Sequence, residues 1–292
     1  MVQIGQITAD EDAARDFLFR RGLLKPNVCC KSCSAPMQLI KCAASKSPDG
    51  YIWRCSPCRK FQSIRTDSVL SVKKISFSLF LLILHGFSYV GLTNVDVANY
   101  SGVTEKTAAD WRKIVGSYVE DWFFNNSVPI GGPGRIVEID EAKFGKRKYH
   151  RGGYREGMWV LGGVDRDTGD CFLLPCPNND RGAATLLPLI QRWVLPGTTI
   201  HTDQWAGYNG VAAAGYTHNT VNHSVQFVDP LTGVHTNKIE GMWYHTKRRM
   251  VGRADLDEVL MNFMFRRRFN ATAGPTQQTK LFNAYMTVLK AA

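Results

Sequence analysis

The stretch RIVEIDEAKFG, residues 135–145, decides the fold of the second half of this chain. It begins with a run of branched apolar residues that ends at Asp140, a pattern typical of a buried β-strand that delivers a carboxylate to its end. Side chains alternate along a strand, so the neighbouring Glu141 would point to the opposite face. We therefore take Asp140, and not Glu141, as the first candidate site residue.

Two further carboxylates lie, like Asp140, at the end or the start of a predicted element. A second predicted strand, residues 198–202, ends at Asp203, and Glu240 opens the helical stretch NKIEGMWYHTKRR. Each acid alone could cap a turn or face solvent. Together, two acids at strand ends and one on a helix match a two-metal phosphoryl-transfer site, because carboxylates can bridge two Mg²⁺ ions about 3.5–4 Å apart. Carboxylates about 4 Å apart repel by roughly 4 kcal/mol at an effective dielectric constant of 20, so the metal-free site should be strained.

The composition bounds the class of protein. The chain has 292 residues, of which 44% are hydrophobic, enough for a catalytic domain with a real core and for smaller modules. Its net charge of +11 favours a polyanionic partner, nucleic acid first. The N-terminus lacks a secretory signal pattern, and the most apolar stretch, residues 75–92, is too short and interrupted to predict a membrane span. We expect a core helix there and no membrane partner.

Four of the eight cysteines form two CxxC pairs separated by roughly twenty residues. The pairs are Cys30 with Cys33 and Cys55 with Cys58. This spacing predicts a zinc ribbon, in which short β-hairpins present four thiolates to one structural Zn²⁺. Cys29 would give a poorer CxxxC knuckle with Cys33, and Cys42 would be a small core residue, so the roles of both stay open.

A helix over residues 75–89 should precede a helix-turn-helix over residues 93–122. Its second helix, residues 104–113, would lie in a major groove, although an ordinary helical hairpin fits the same pattern. Basic side chains of both modules, and those that follow Glu240, are candidates for phosphate contacts. These DNA-binding candidates are Lys31, Arg54, Arg59, Lys60, Arg65, Lys106, Arg112, Lys113, Lys247, Arg248 and Arg249.

The predicted fold is multi-domain and α+β, with a zinc ribbon and a helix-turn-helix module before an RNase H-like α/β catalytic domain. The domains are an N-terminal helix (1–28), the ribbon (29–72), the helix-turn-helix region (73–124), a linker rich in Gly and Pro (125–134), the catalytic domain (135–270) and a C-terminal helical tail (271–292).

The element order within residues 135–270 carries the RNase H-like prediction. The expected elements are strands at 136–144, 159–165 and 171–176, a helix at 183–195, a strand at 198–202, a short helix at 204–214, a strand at 221–228, and helices from 240 and over 256–267. Three antiparallel strands followed by alternating helices and strands is the order of an RNase H-like domain.

Lys247 lies seven residues after Glu240. Seven residues make two helical turns, so the two side chains share one face about 10 Å apart along the axis, where a lysine could hold a DNA phosphate. The candidate catalytic residues are thus Asp140, Asp203, Glu240 and Lys247, of which the three acids are the Mg²⁺ ligands. Four flanking residues are also of interest. Asn237 is a candidate helix cap, and His235 could orient a ligand or contact DNA. Trp205 and Trp243 are expected to be core or site-wall aromatics, with base stacking as the alternative.

At this point four segments resemble a known family: IDEAKFGKRKYHRG (139–152), WVLGGVDRDTG (159–169), HTDQWAGY (201–208) and HTNKIEGMWYHTKRR (235–249). They look like the DDE transposases of the Merlin superfamily and related bacterial insertion sequences with ISXO2-like transposase domains. The resemblance extends over roughly residues 30–268 and includes the paired cysteines. The Cys29-Cys30 doublet departs from it, because one cysteine is expected there.

The resemblance implies a cut-and-paste transposase. Such an enzyme binds terminal inverted repeats, cleaves the element ends with two Mg²⁺ (or Mn²⁺) ions, and joins the free 3′-OH ends to target DNA without a covalent protein–DNA intermediate. Joining two ends implies a homodimer or higher oligomer on DNA. Localisation would be nuclear in a eukaryotic host and cytoplasmic otherwise. Two alternatives stay open: a catalytically inert DNA-binding protein, and an RNase H-like nuclease that cuts without joining.

Overall fold

A computed structural model describes residues 3–89, 91–145, 156–222, 233–248, 255–269 and 275–290. The chain divides into two compact units, of which the first comprises residues 1–122 and 271–292 and the second residues 123–270. In the ranges that the structure describes, no helix combines the length and apolarity needed to cross a membrane.

The helices and strands follow one another in this order. The first unit contains α1 (Ile4–Ile7), α2 (Glu11–Arg21), β1 (Gln38–Lys41), β2 (Tyr51–Arg54), β3 (Phe61–Ser63), α3 (Phe77–Phe87), α4 (Asn94–Ser101) and α5 (Glu105–Asn126), whose last turn lies in the second unit. The second unit contains β4 (Ile130–Gly131), β5 (Ile136–Phe144), β6 (Met158–Asp165), β7 (Cys171–Pro175), α6 (Ala183–Trp193), β8 (Val194–Leu195), β9 (Thr199–Asp203), β10 (Thr217–Val221), α7 (Asn237–Lys247) and α8 (Leu256–Arg268). The last helix, α9 (Pro275–Lys290), belongs to the first unit.

The first unit joins a small sheet to a group of helices. Strands β1, β2 and β3 form an antiparallel sheet in that order, as predicted for short hairpins around the cysteine pairs. Helix α2 begins at Asp10, whose carboxylate accepts from the Ala13 amide at 2.7 Å, and it ends at Gly22 in the left-handed conformation. The Glu11 carboxylate accepts from the Phe77 amide at 2.8 Å, which ties α2 to the start of α3.

Helices α4 and α5 occupy the region of the predicted helix-turn-helix. Thr93 and Asp96 form a reciprocal capping box at the start of α4, and Gly102 ends that helix in the left-handed conformation. Helix α4 packs on α3, where Val97 fills the space beside Gly86. The helix, turn and second helix are present, whereas the DNA-binding placement of α5 stays a prediction.

The second unit is built on a mixed five-stranded sheet with the order β10-β9-β5-β6-β7. Strands β5, β6 and β7 are antiparallel neighbours, whereas β9 is parallel to β5 and β10 is parallel to β9. The predicted mixed α/β domain is confirmed. The three antiparallel strands followed by two parallel ones agree with the RNase H-like order expected from the sequence.

The two faces of this sheet are covered by different helices. Apolar residues of β5 alternate with its acids, and Val137 and Ile139 pack against Leu186 and Ile190 of α6. On the other face, α7 lies over β5 and β6, and α8 over β7. Because side chains alternate, the face opposite α6 receives Glu138 and Asp140.

Three predictions of local structure are corrected. Residues 204–214 form successive turns around a 3₁₀ segment, Ala206–Tyr208, and not a short α-helix, because Gly207 and Gly210 approach neighbouring groups too closely to carry a Cβ. The fifth strand is β10, whose position is set by its parallel pairing with β9. It was predicted over residues 221–228. Of these, residues 223–228 lie outside the described residues. The expected linker 125–134 contains the end of α5 and also β4, which pairs with β8 and buries Ile130 in the core.

Candidate active site

Strands β5 and β9 bring the first two predicted acids together. The parallel pairing sets Ile136 opposite Thr199 and Glu138 opposite His201, and the same offset places Asp140 beside Asp203. The two carboxylates thus lie on neighbouring strands and on one face of the sheet. Their proximity has an electrostatic consequence, because the Asp203 charge contributes to raising the pKa of Asp140.

Asp140 combines burial with acidic neighbours. Burial, followed by the charge of Glu141 and that of Asp203, raises the pKa of Asp140 to about 7. A hydrogen bond from Trp243 Nε1 to Asp140 Oδ2, 2.9 Å long, acts in the opposite direction. The indole N–H also fixes the direction of the carboxylate. This acid is therefore oriented, but its negative charge is incompletely balanced by its surroundings.

Gly162 makes the contact between Asp140 and Trp243 possible. It is the register partner of Asp140 on β6. A Cβ at this position would lie 2.5 Å from the ring of Trp243 and 3.1 Å from Ile239 Cδ1, so a side chain there would push α7 away from the sheet. The glycine thus allows α7 to approach β6 closely. Neither Gly162 nor the role of Trp243 follows from spacing in the sequence.

Glu240 lies in the first turn of α7 and is half-buried. Its Oε1 accepts from the Thr236 hydroxyl at 3.3 Å. Within the described residues, the four-cysteine group described below is the only set of three or more His, Cys, Asp or Glu side chains whose ligand atoms all lie within 4.8 Å. Among the described residues, the ligand atoms of Asp140, Asp203 and Glu240 therefore do not all lie within that distance of one another. Lys247, at the end of α7, is exposed, with its ammonium 5.6 Å from the centre of the Phe144 ring.

Glu138 is a site residue that the sequence reasoning missed. Its side chain is fully buried, and its Oε2 accepts from the backbone amides of Lys238 at 2.8 Å and Ile239 at 3.1 Å, in the first turn of α7. The other oxygen accepts from Arg166 Nε at 2.6 Å. Arg166 also donates to the His235 carbonyl at 2.6 Å. Glu138 thus caps the helix that carries Glu240, a role predicted for Asn237.

His201 lies beside this cap. It pairs in register with Glu138 and is 4% exposed, and its Nδ1 has no hydrogen-bond partner among the residues that the structure describes. Burial, and then the positive charge of Arg166, lower the pKa of His201 to about 4. The ring is therefore neutral near pH 7. His235, predicted to orient a ligand or to contact DNA, instead places its Nδ1 3.4 Å from Glu138 Oε1.

Glu141 lies on the opposite face, as predicted from strand alternation. Its Oε1 accepts from Arg181 Nη1 at 2.8 Å, and its Oε2 accepts from the Tyr208 hydroxyl. Burial and the surrounding acids raise the pKa of Tyr208 well above its ordinary value, so the phenol is a proton donor throughout the physiological range. Glu141 is therefore engaged by the structure and is no metal-ligand candidate.

The four predicted zinc ligands lie in one cluster in the first unit. The Sγ atoms of Cys30, Cys33, Cys55 and Cys58 are all within 4.8 Å of one another. Backbone amides of Ser32 and Cys33 lower the pKa of the Cys30 thiol to about 6. Four gathered thiols, one of them stabilised as a thiolate, are the donor set that tetrahedral Zn²⁺ requires. Cys29 and Cys42 lie outside this cluster.

The predicted DNA-contacting residues have different environments. Arg65 binds Asp49 through two nitrogens and lies over the Phe77 ring, and Arg112 donates to Asn94 and to the Leu92 carbonyl. These two guanidinium groups are held by contacts inside the first unit, and their DNA contacts stay a prediction. The exposed candidates are Lys31, Arg54, Arg59, Lys60, Lys106, Lys113, Lys247 and Arg248, whereas Arg249 lies outside the described residues.

Comparisons with known proteins agree with the resemblance stated from the sequence. Residues 130–254 match the ISXO2-like transposase domain. Male abnormal protein mab-31 of Caenorhabditis elegans is 28% identical over 155 residues, which cover 47% of this chain and 35% of that protein. An uncharacterized transposase-like protein of Haemophilus influenzae is 32% identical over 68 residues, which cover 23% of this chain and 54% of that protein. The chain thus spans about a third to a half of the curated relatives it matches.

Two solved structures are also similar. The HTLV-2 integrase catalytic core domain in complex with magnesium is 14% identical, with a TM-score of 0.31, and the match covers 49% of this chain and 91% of that one. The catalytic core domain of BIV integrase is 15% identical, with a TM-score of 0.33, over 48% of this chain and 85% of that one. The recognition of an ISXO2-like transposase domain from the sequence is confirmed for residues 130–254.

Proposed function

We propose that this chain, whose residues 130–254 match the ISXO2-like transposase domain, is a DDE transposase. It would bind the terminal inverted repeats of a DNA element, cleave the element ends and join the 3′-OH ends to target DNA. The observation that carries the proposal is the juxtaposition of Asp140 and Asp203 on neighbouring strands inside that matched segment. The excess of basic residues over the whole chain supports DNA as the partner.

The proposed ligands of Mg²⁺ are Asp140, Asp203 and Glu240. The residues fit such an ion, because Asp140 and Asp203 present oxygen donors whose mutual repulsion a cation would relieve. When bound, a pair of Mg²⁺ ions would activate the attacking oxygen and stabilise the leaving oxygen of an in-line displacement at phosphorus. Trp243 would hold the Asp140 carboxylate in place, and Glu138 would hold the first turn of α7, which carries Glu240. Lys247 would contact a DNA phosphate on the same helix.

Zinc is the second proposed cofactor. The cluster of Cys30, Cys33, Cys55 and Cys58 would hold one structural Zn²⁺ and fix the small sheet of the first unit. The exposed basic residues around it would then contact DNA phosphates. Metal analysis of the purified protein should give one zinc per chain, and Cys55→Ser should lose it. Retention of one zinc per chain by the Cys55→Ser variant would contradict this assignment.

Joining two element ends requires two active sites on one DNA complex, so we propose a homodimer or higher oligomer on DNA. In a eukaryotic host the protein would act in the nucleus, and otherwise in the cytoplasm. Both statements follow from the proposed activity, and light scattering with and without end-sequence DNA would test the first.

A strand-transfer assay tests the proposed function. Purified protein is incubated with a labelled duplex that carries the terminal inverted repeat, a supercoiled target plasmid and Mg²⁺ or Mn²⁺. Wild type should give joined product, and Asp203→Asn should bind the same duplex but give none. Cleavage without joining would instead identify an RNase H-like nuclease, and binding without cleavage or joining would identify an inert DNA-binding protein.

A further inference from the structure

Trp205 contacts a residue of the candidate active site and is itself partly exposed. It lies two residues after Asp203, and its backbone N–H donates to Asp203 Oδ1 at 2.9 Å. Its side chain nevertheless keeps 37% of its surface exposed. The residue whose backbone amide donates to this carboxylate therefore also has a partly exposed indole ring.

Several contacts hold this ring in one orientation. Its Nε1 donates to the Arg181 carbonyl at 3.2 Å, and the Arg181 guanidinium lies 4.0 Å from the ring centre. The same guanidinium lies 4.2 Å from the ring centre of Trp159, so it contacts both indoles. Gly207 also lies against the ring, because a Cβ there would approach Nε1 to 2.6 Å. Trp205 is thus an exposed but well-fixed aromatic surface.

The positive charge under the ring is already balanced. Arg181 forms an ion pair of 2.8 Å with Glu141, whose other oxygen is bound by Tyr208. This arginine is therefore engaged from within the protein, and a phosphate would have to compete with Glu141 for it. What Trp205 offers a DNA strand is a π-surface, with a cation on one face that strengthens its packing.

From this geometry we propose that Trp205 stacks on an unpaired nucleobase next to the phosphodiester that the carboxylates act on. The proposal rests on the proposed function, since it takes DNA as the substrate. A base inside a duplex is covered by its neighbours, so the partner is a single-stranded or unstacked nucleotide. Stacking on a ring that is already fixed costs little conformational entropy, and it tolerates any base because every base has a π-face.

Binding to two single strands of equal length tests the stacking directly. The full-length protein is titrated at one fixed salt concentration with a fluorescent 20-mer of thymidylate and with a 20-mer of abasic sites, which keeps the phosphates but lacks the bases. Trp205→Ala should weaken thymidylate binding between about 5-fold and 150-fold and leave abasic binding unchanged. Trp205→Phe should retain most of the thymidylate affinity. Phe124→Ala removes an aromatic side chain that is 84% exposed on α5, and should change neither affinity.

The outcomes separate the stacking from the proposed function. Equal weakening of both oligomers by Trp205→Ala, or weakening by Trp205→Phe as large as by Trp205→Ala, would overturn the stacking, because a loss of fold or charge would explain it. Unchanged thymidylate binding by Trp205→Ala would overturn it as well. Failure of wild type to bind either oligomer would overturn the stacking, whereas the strand-transfer assay with duplex DNA tests the proposed function separately. Because the readout is binding, a protein that lacks strand transfer can still support the stacking.

Discussion

Glu138 and Asp140 lie two residues apart on the same face of β5 and have opposite electrostatic surroundings. Glu138 is fully buried, yet it accepts from two backbone amides and pairs with Arg166. Asp140 receives one indole N–H, while the charges of Glu141 and Asp203 help to raise its pKa to about 7. The same strand therefore presents one balanced carboxylate and one incompletely balanced carboxylate.

The difference separates a structural role from a chemical one. A buried carboxylate whose charge is matched inside the protein fixes the elements that supply its partners, here the start of α7. A carboxylate whose neighbours are acidic is stabilised by binding a proton or a cation. Substituting each carboxyl group by its amide keeps the shape of the side chain nearly constant. Comparing the activities of the two variants then shows which carboxylate the reaction needs.

The largest expected effect concerns activity. Asp140→Asn should lower the rate of strand transfer on the order of 10³-fold or more, because an amide carries no charge to hold a divalent cation at the reacting phosphate. Glu138→Gln keeps an acceptor oxygen for the α7 amides and should lower the rate much less. Rates measured at saturating Mg²⁺ compare the two variants. A Glu138→Gln rate as low as that of Asp140→Asn would mean that both carboxylates take part in catalysis.

For stability the expected order is reversed, so that substitution of Glu138 should have a larger effect than substitution of Asp140. Glu138→Ala leaves the partly buried Arg166 without its carboxylate and the α7 amides without an acceptor, and should lower the free energy of unfolding by about 3 kcal/mol. Asp140→Ala removes a poorly compensated charge and should cost less. Urea unfolding of the two variants and the wild type at pH 7.5, without added Mg²⁺, measures both differences. A larger loss for Asp140→Ala would contradict the assignment of Glu138 as the structural acid.

The pH dependence of stability should reveal the raised pKa of Asp140. In the folded protein this acid keeps its proton up to about pH 7, whereas its ordinary pKa is 3.8. The folded state thus binds more protons between these values, and the contribution of Asp140 to stability falls as the pH rises through this window. Asn resembles the protonated acid. Without added Mg²⁺, Asp140→Asn should therefore be more stable than wild type at pH 8, and the difference should vanish near pH 4.

Mg²⁺ provides the control for that prediction. The cation should stabilise the wild type at pH 8 and leave Asp140→Asn nearly unchanged, since only the wild type has a charge to be relieved. Equal stability curves for the two proteins from pH 4 to pH 8 would show that Asp140 titrates normally in the folded state.

Much of this site could be predicted from the sequence, because its strands are short apolar runs that end in acids. The predicted bounds of the first catalytic strand, 136–144, are those of β5, and Asp140 and Asp203 meet because both follow such runs. Partners that meet across long stretches of chain have no periodic signal. Glu138 finds its amide donors 100 and 101 residues later, and Trp243 reaches Asp140 across 103 residues.

The predictions of local structure that the structure corrects failed for the same reason, because they depended on contacts that only the fold creates. Residues 204–214 have a helical composition, but the close approach of Gly207 to Trp205 and of Gly210 to Leu187 requires turns. The DNA contact of Arg65 stays a prediction made from charge, and the ion pair of this side chain with Asp49 becomes visible only when β2 and β3 are assembled. Charge in a sequence identifies a residue that needs a partner, and the fold determines whether that partner lies inside the protein or outside it.

The smallest effect should come from Trp243, whose side chain donates a hydrogen bond to Asp140. Trp243→Phe keeps an aromatic ring over Gly162 but removes the N–H that orients Asp140. Losing this hydrogen bond should raise the pKa of Asp140 further and shift the Mg²⁺ concentration for half-maximal strand transfer upward about 10-fold. The rate at saturating Mg²⁺ should change less, because bound cation restores the orientation of the carboxylate.

Trp193→Phe is the matched control, since Trp193 packs against the apolar core and Phe172. It should leave the Mg²⁺ dependence unchanged while costing comparable stability. A Trp243→Phe variant with wild-type Mg²⁺ dependence would show that packing of α7, and not its N–H, positions Asp140. In that case Glu138 and Asp140 would differ mainly in the charges around them, and of these two acids only Glu138 would depend on hydrogen-bond donors from α7.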